Sequence, residues 1–274
     1  MLACGVAVAA PGAEFDARMT AIQARIGGRL GVCVIDTGSP RRWQFHADER
    51  FAMCSTFKLL LAACVLAQAD AGKLDLARRL TYSKEELLPT SPVTTQHLAE
   101  GLSIRDLGKA SVEVSDNAAA NLLLNLVAGP AGLTAFLRSQ GDNVTRLDRT
   151  ETQLNTNLPG DLRDTTTAAA MATTVAKLLT GDALGTGSRD QLIAWLKNSS
   201  TGVRRMRAGL PPDWIAGDKT GTGARGSVND VMIAFPPGRK PLVAAVYLSD
   251  SNEPTLVLEQ AHKEVGEWIG GLVL

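Results

Sequence analysis

Ser55-Thr56-Phe57-Lys58 stands at the head of a long apolar run, Leu59-Leu60-Leu61-Ala62-Ala63-Cys64-Val65-Leu66-Ala67. The run is apolar nearly all round and stops at Gly72, so it reads as a helix from Ser55 to Ala71 buried at the centre of a lobe. Ser55 then opens the helix, and Lys58 lies about 4.5 Å further along, near the same face. A serine hydroxyl needs a partner before it can attack a carbonyl. A neutral amine accepts its proton, and a charged one stabilises the alkoxide. Backbone N–H groups at a helix start also favour developing negative charge. Alone, the tetrapeptide describes an N-cap serine beside a surface lysine equally well, so the rest of the chain decides.

Working outward, the flanks are strand-like and the middle is helical. Glu14 to Ile26 is amphipathic, with Phe15, Met19, Ile22 and Ile26 spaced three and four apart, and Gly27-Gly28 ends it. Leu30 to Asp36 and Arg42 to Ala47 read as a hairpin around Thr37-Gly38-Ser39-Pro40. After Ser55–Ala71, Ser103-Ile104-Arg105-Asp106 has the pattern of a helix start, and that helix runs toward Val114. Ala118 to Val127 follows, read as closed by Gly129-Pro130, then Leu133 to Ser139. Asp142 to Arg163 is long, polar and charged, the profile of a functional loop. Helical pattern resumes over 166–179 and 189–197, and three strands follow at 214–220, 228–235 and 242–248. Glu253 to Leu272 is a final helix.

This order predicts an α+β fold with an antiparallel sheet of about five strands. Residues 14–50 and 202–274 form a discontinuous lobe of sheet and terminal helices. Residues 51–201 form an all-helical lobe, and the cleft between the lobes is the natural ligand site.

The totals narrow the chemistry. The 274 residues carry 28 Lys+Arg and 28 Asp+Glu, with no long basic block, which argues against nucleic acid or an anionic membrane as the main partner. No apolar run reaches the roughly 18–20 residues of a membrane span. Cys4, Cys33, Cys54 and Cys64 include no Cys-x-x-Cys, and His46, His97 and His262 stand far apart. No metal and no cofactor are therefore expected, and a monomer is expected. Residues 1–13 are small and apolar and read as the remnant of a secretory signal, so the expected location is exported, periplasmic or secreted.

Three further elements accompany Ser55-x-x-Lys58: Ser115-Asp116-Asn117 between helices, Glu151-x-x-Leu154-Asn155 in the polar loop, and Lys219-Thr220-Gly221 at a strand end. Each alone is a common cap, strand end or solvated loop. In this order, with Leu147-Asp148-Arg149 and Asp161-Leu162-Arg163-Asp164 at the loop ends and Asp218 before Lys219, the chain resembles the class A serine β-lactamases over nearly its whole length. The resemblance implies the serine β-lactamase and penicillin-binding transpeptidase-like fold. It implies hydrolysis of penicillins and cephalosporins, small β-lactam molecules, through a serine acyl-enzyme, and thereby antibiotic resistance.

The resemblance also implies roles. Ser55 attacks the lactam carbonyl, and the N–H groups of Ser55 and Thr222 hold the oxyanion. Either Lys58 or Glu151, the latter through a water, takes the serine proton. Ser115 passes a proton to the leaving nitrogen. Asn117 binds the substrate's side-chain amide and helps fix Lys58. Glu151 and Asn155 hold the deacylating water, a carboxylate to take its proton and an amide to orient it. Lys219, with Thr220, Gly221 and Thr222, receives the substrate carboxylate, and Arg205 aligns with an arginine that some members use for the same group. Arg149 and Asp164 match a salt bridge that closes the active-site loop 149–164.

The departures are equally specific. Thr152 follows Glu151 where many relatives carry a proline with a cis bond. Thr90 stands where many place an aromatic cleft wall, and Val228 where some place an arginine. Cys54 cannot form the disulfide of some carbapenem-hydrolysing relatives, because the partner position is Gly223, so it reads as a packing residue. Thr222 resembles a residue of broad-spectrum members and hints at cephalosporins. A D,D-peptidase or a penicillin-sensor domain would share Ser55-x-x-Lys58, Ser115-Asp116-Asn117 and Lys219-Thr220-Gly221 but has no need of Glu151 with Asn155. A serine glutaminase of similar fold lacks support from the loop.

Overall fold

Five antiparallel strands form the main sheet of the computed structural model, which describes residues 11–272. The reading of a signal remnant falls almost wholly on residues outside that range. Helix α1 (Pro11–Ile26) buries Phe15, Met19, Ile22 and Ile26 along one face, each contributing roughly 1.5–3 kcal/mol of burial. Strands β1 (Arg29–Asp36) and β2 (Arg42–Phe45) form the expected hairpin.

Strand β3 (Arg50–Ala52) leads into a 3-10 turn, Cys54–Thr56, and then α2 (Phe57–Asp70). Next come β4 (Arg79–Leu80), α3 (Pro92–Gln96), β5 (Leu102–Ser103), α4 (Ile104–Glu113), α5 (Asn117–Leu126) and α6 (Gly129–Ser139). Beyond the long loop lie β6 (Thr165–Thr167), α7 (Ala168–Thr180) and α8 (Thr186–Lys197). Strands β7 (Ile215–Thr222), β8 (Val228–Phe235) and β9 (Leu242–Ser249) precede α9 (Thr255–Gly270).

The sheet order is β2-β1-β9-β8-β7, so β7 is an edge strand. One face packs on α1 and α9 through Met232, Ala244 and Val246 with Phe15, Leu258 and Val265. The other face joins the helices through Val231, Ile233, Ala245 and Tyr247. Helix α2 lies inside that second core, with Phe57 through Leu66 all buried. This is the α+β class that the alternation and helical periods predict.

Three expectations need correction. Ser55 does not open α2: it sits in the preceding 3-10 turn, and Thr56 is the capping residue. Gly129-Pro130 does not close α5 but opens α6, where proline's missing N–H costs nothing, and the break before it is made by Ala128 at φ 61°. Residues 51–201 are not all helical. Strand β3 pairs with β6, Phe51 opposite Thr166, and β4 pairs with β5. Strands of two or three residues are too short to show a period, so the sequence pattern could not announce them.

Candidate active site

Ser55 is positioned by backbone rather than by a helix cap. Met53 N–H donates to Asp164 O at 2.9 Å, and Asn229 Nδ2 of β8 donates to Ala52 O and Met53 O at 2.9 and 3.2 Å. The 3-10 turn is thus tied both to the end of the active-site loop and to the sheet. Thr56 Oγ1 meets Tyr247 OH at 3.0 Å beneath it. Strand β7 closes on the same turn at Gly221, where a Cβ would stand 2.7 Å from Met53 O. Only glycine allows that approach.

Lys58 is fully buried. Its Nζ donates to Ser115 O at 2.8 Å, Ser115 Oγ at 3.3 Å and Asn117 Oδ1 at 2.5 Å, and it lies 3.0 Å from Glu151 Oε1. Burial pulls the amine below the ordinary lysine range, against the opposing charge of Glu151. Ser55 Oγ donates to the same Glu151 Oε1 at 3.1 Å. Among the described residues Ser55 and Lys58 therefore meet at the Glu151 carboxylate and not at each other, although they are three residues apart.

Glu151 is held on every side. Its Oε2 accepts from Asn155 Nδ2 at 2.7 Å. Its own N–H donates to Asn121 Oδ1 at 3.0 Å, and Asn121 Nδ2 donates back to Glu151 O at 2.9 Å. The Glu151–Thr152 peptide bond is cis, as in relatives that carry proline there. At the loop's ends Arg149 Nε pairs with Asp164 Oδ2 at 2.5 Å, and the N–H groups of Asp148 and Arg149 donate to Asp164 Oδ1. A charge-assisted, multiply bonded pair of this kind closes the loop more firmly than a surface ion pair.

The turn carrying Ser115 and Asn117 is fixed by Asp116, buried between α3 and α5. It caps α5 by accepting Ala119 N–H at 2.9 Å, and it accepts the N–H groups of Val93 and Thr94 at 3.0 Å each. Ser115, at φ 59°, then lies between two amines: Lys58 Nζ at 3.3 Å and Lys219 Nζ at 3.1 Å from its Oγ. Lys219 is also fully buried, and burial followed by the charge of Lys58 lowers it well below the ordinary lysine range. Asn117 Nδ2 donates to Pro89 O at 2.7 Å, so both ends of this amide already hold the site together.

A cleft of about 360 Å³ joins these groups, lined by Ser55, Ser115, Asn117, Asn155, Thr220 and Thr222. Thr90 lines its other edge in place of an aromatic. Arg205 reaches the cleft but is nearly buried. Its Nη1 donates to Gly221 O and Asn229 O at 3.0 and 2.6 Å, and its Nη2 to Thr222 Oγ1 at 2.8 Å. It braces β7 first and meets the cleft through Thr222. Burial pushes the Cys54 thiol up to about 12, which makes it an inert packing group. Among the described residues no His, Cys, Asp or Glu side chains gather as a metal site, and no single helix is long and apolar enough to cross a membrane.

Every residue singled out for the site is thus brought around one cleft or its loop. Asn121, Asp116 and Asn229 were missed. Asn121 carries a readable signal, because it lies one helical turn after Asn117 on the same face of α5.

The family described as "Beta-lactamase enzyme family" matches residues 14–270. The chain is 44% identical to the β-lactamase OXY-2 of Klebsiella oxytoca over 91% of this chain and 88% of that protein. It is 49% identical to the β-lactamase AST-1 of Nocardia asteroides over 87% of this chain and 77% of that protein. It is also 49% identical to a carbapenem-hydrolysing β-lactamase KPC of Klebsiella oxytoca, over 83% and 78%. Among solved structures, the class A β-lactamase GNCA4, described as the last common ancestor of Gram-negative bacteria, superposes with a TM-score of 0.93 at 52% identity. The match covers 94% of this chain and 98% of that one.

Proposed function

The chain belongs to the class A serine β-lactamases, and from that premise we propose which of its atoms open and release a β-lactam. The observation that carries the assignment is Glu151, whose carboxylate reaches Ser55 Oγ at 3.1 Å, Lys58 Nζ at 3.0 Å and Asn155 Nδ2 at 2.7 Å.

In acylation, Ser55 Oγ attacks the lactam carbonyl carbon while its proton passes to Glu151. Direct contact with Ser55 Oγ favours Glu151 as the acceptor, with Lys58 as the neighbouring charge that stabilises it. The N–H groups of Ser55 and Thr222 receive the oxyanion across the narrow gap that Gly221 permits. As the ring C–N bond breaks, Ser115 gives its proton to the nitrogen and is refilled from Lys58, which lies within reach of its oxygen. Glu151 returns its proton to Lys58, and the balance is Ser55 proton to lactam nitrogen.

In deacylation, water held between Glu151 and Asn155 attacks the ester carbonyl. Glu151 takes the water proton and delivers it to Ser55 Oγ as the ester bond breaks. The substrate carboxylate lies against Lys219, Thr220 and Thr222, with Arg205 orienting the Thr222 hydroxyl. Penicillins and cephalosporins are the proposed substrates. An exported enzyme, proposed from the small apolar residues 1–13, meets them before they reach the cell wall.

Steady-state hydrolysis of a chromogenic cephalosporin tests the assignment. Many turnovers per enzyme are expected, and a single stoichiometric burst that leaves a stable acyl-enzyme overturns it.

A further inference from the structure

Beneath Ser55, one cross-strand pair grips the turn that carries it. Tyr247 of β9 stands directly opposite Asn229 of β8 in the ladder, so both side chains leave the same face of the sheet. Asn229 Nδ2 donates to Ala52 O at 2.9 Å and to Met53 O at 3.2 Å. Tyr247 OH meets Thr56 Oγ1 at 3.0 Å, and Thr56 Oγ1 donates to Met53 O at 2.8 Å. A threonine hydroxyl has one hydrogen, and Met53 O receives it, so Tyr247 is the donor in the bond between the two hydroxyls. Burial holds the phenol well above the ordinary tyrosine range, so it keeps that hydrogen. Tyr247, Asn229, Thr56 and Met53 are all excluded from solvent.

Met53 O bears on Ser55 through the backbone. The Met53–Cys54 peptide is planar, so holding its oxygen holds its plane. Cys54 then sits at φ 47°, a conformation that L-residues rarely adopt and keep only where their neighbours hold it. The dihedrals of Cys54 carry the next peptide, whose N–H belongs to Ser55. Relaxation of Cys54 out of the left-handed region would swing that N–H. A Met53 carbonyl held by Thr56 N–H at 3.2 Å, by Thr56 Oγ1 and by Asn229 opposes it.

We propose that Tyr247 is a positioning residue for the oxyanion site: acting through Thr56 and Met53 O, its hydroxyl fixes the direction of the Ser55 N–H. This rests on the reading of that N–H as a donor to the oxyanion. Tyr247 lies behind the turn and acts only through Thr56.

The packing around Tyr247 fixes its hydroxyl in turn. The Phe51 ring lies against it, with centroids 6.0 Å apart and planes at 32°. Gly31 of β1, which pairs with Tyr247 on the other side of β9, makes room for that ring: a Cβ there would stand 2.6 Å from Phe51 Cε2. Asn229 grips Met53 O independently of Thr56. Loss of the Tyr247 hydroxyl therefore loosens the turn without releasing it, and a graded loss of rate is separable from a failure to fold.

An oxyanion forms in acylation and again in deacylation, so both rate constants report on the Ser55 N–H. Tyr247→Phe keeps the ring and removes the hydroxyl. Pre-steady-state kinetics on a chromogenic cephalosporin are expected to show each step slowed about tenfold, short of the ~10²–10³-fold lost with a whole oxyanion donor. Affinity for a boronic acid that forms a tetrahedral adduct on Ser55 should weaken by the same factor, while the Kd of the initial complex stays at its wild-type value. Thr56→Val should slow both steps at least as much, and Thr56→Ser should restore them. Adding Tyr247→Phe to Thr56→Val should slow neither step further, because Tyr247 acts through that hydroxyl. A Tyr247→Phe enzyme that unfolds at lower urea concentration but keeps wild-type rate constants overturns the proposal. So does a Tyr247→Phe effect that persists in full beside Thr56→Val, or one confined to deacylation. A wild type that neither turns over the cephalosporin nor binds the boronic acid removes the oxyanion reading itself; a normal wild type with an unaffected Tyr247→Phe removes Tyr247 alone.

Discussion

Lys58 Nζ and Glu151 Oε1 lie 3.0 Å apart with both side chains wholly excluded from solvent. They come from opposite walls of the site, the start of α2 and the active-site loop. A buried ion pair of this kind adds little net stability, but removing one partner strands the other charge at a cost of about 3–5 kcal/mol. Glu151→Gln keeps the shape and removes the base. Its expected effect is a fall in deacylation of about 10²–10⁴-fold, with acyl-enzyme accumulating. Intact-protein mass spectrometry after mixing with a penicillin reads this directly. Turnover at the wild-type rate with no mass increment places the deacylating water elsewhere.

Lys219 gives the site a pH dependence. Burial and the nearby Lys58 hold its pKa well below the ordinary lysine range, so it loses its charge at lower pH than a free lysine does. Carboxylate affinity therefore falls as the pH rises through that lowered pKa, at a lower pH than an ordinary lysine would lose its charge. KM for a carboxylated cephalosporin should climb on the alkaline side, whereas an ester of the same cephalosporin should show no such limb. Parallel profiles for acid and ester would remove Lys219 from carboxylate binding.

Asn121 clamps the Glu151 backbone at both its N–H and its carbonyl. Asn121→Leu removes both bonds and leaves two partly buried polar groups without their partners, for a loss of about 1–3 kcal/mol of stability. The catalytic effect should fall mainly on deacylation, because Ser55 is held by β8 and the loop end rather than by Asn121. Chemical denaturation and pre-steady-state bursts measure the two effects separately. A variant with a wild-type burst-to-steady ratio shows that the loop holds Glu151 without this clamp.

How far the chain could be read depended on whether a residue's signal was local. The amphipathic stripe of Phe15, Met19, Ile22 and Ile26 and the meander 214–248 announced α1 and β7–β9 because periodicity is a local property. Ser115, Asn117, Glu151, Asn155 and Lys219 were found by motif, since each lies in a short stretch of characteristic residues. The direct partner of Ser55 was not legible. Helix geometry brings Lys58 near, but the Glu151 carboxylate arrives from the loop and takes both contacts. Arg205 lines the cleft, yet its bracing of Gly221 O and Asn229 O depends on the β7–β8 register, which no single segment encodes.

His262 supplies a stability test far from the reacting atoms. It lies fully buried in α9, donating from Nε2 to Val228 O at 2.9 Å, with Nδ1 unpartnered among the described residues. Burial first, and then the charge of Arg205, lowers its pKa from 6.5 to about 3, against the opposing bond to Val228. Between those two values the unfolded chain binds a proton that the folded chain refuses, so the slope of stability with pH is positive there. Stability is full above the unfolded pKa and falls as the pH drops toward 3, by about 1.4 kcal/mol per unit at most. His262→Gln keeps a donor for Val228 O and has nothing to titrate. Urea unfolding midpoints taken from pH 7 to pH 4 should fall more steeply for the wild type than for this variant. Equal slopes would mean that the folded enzyme already accommodates a charged His262.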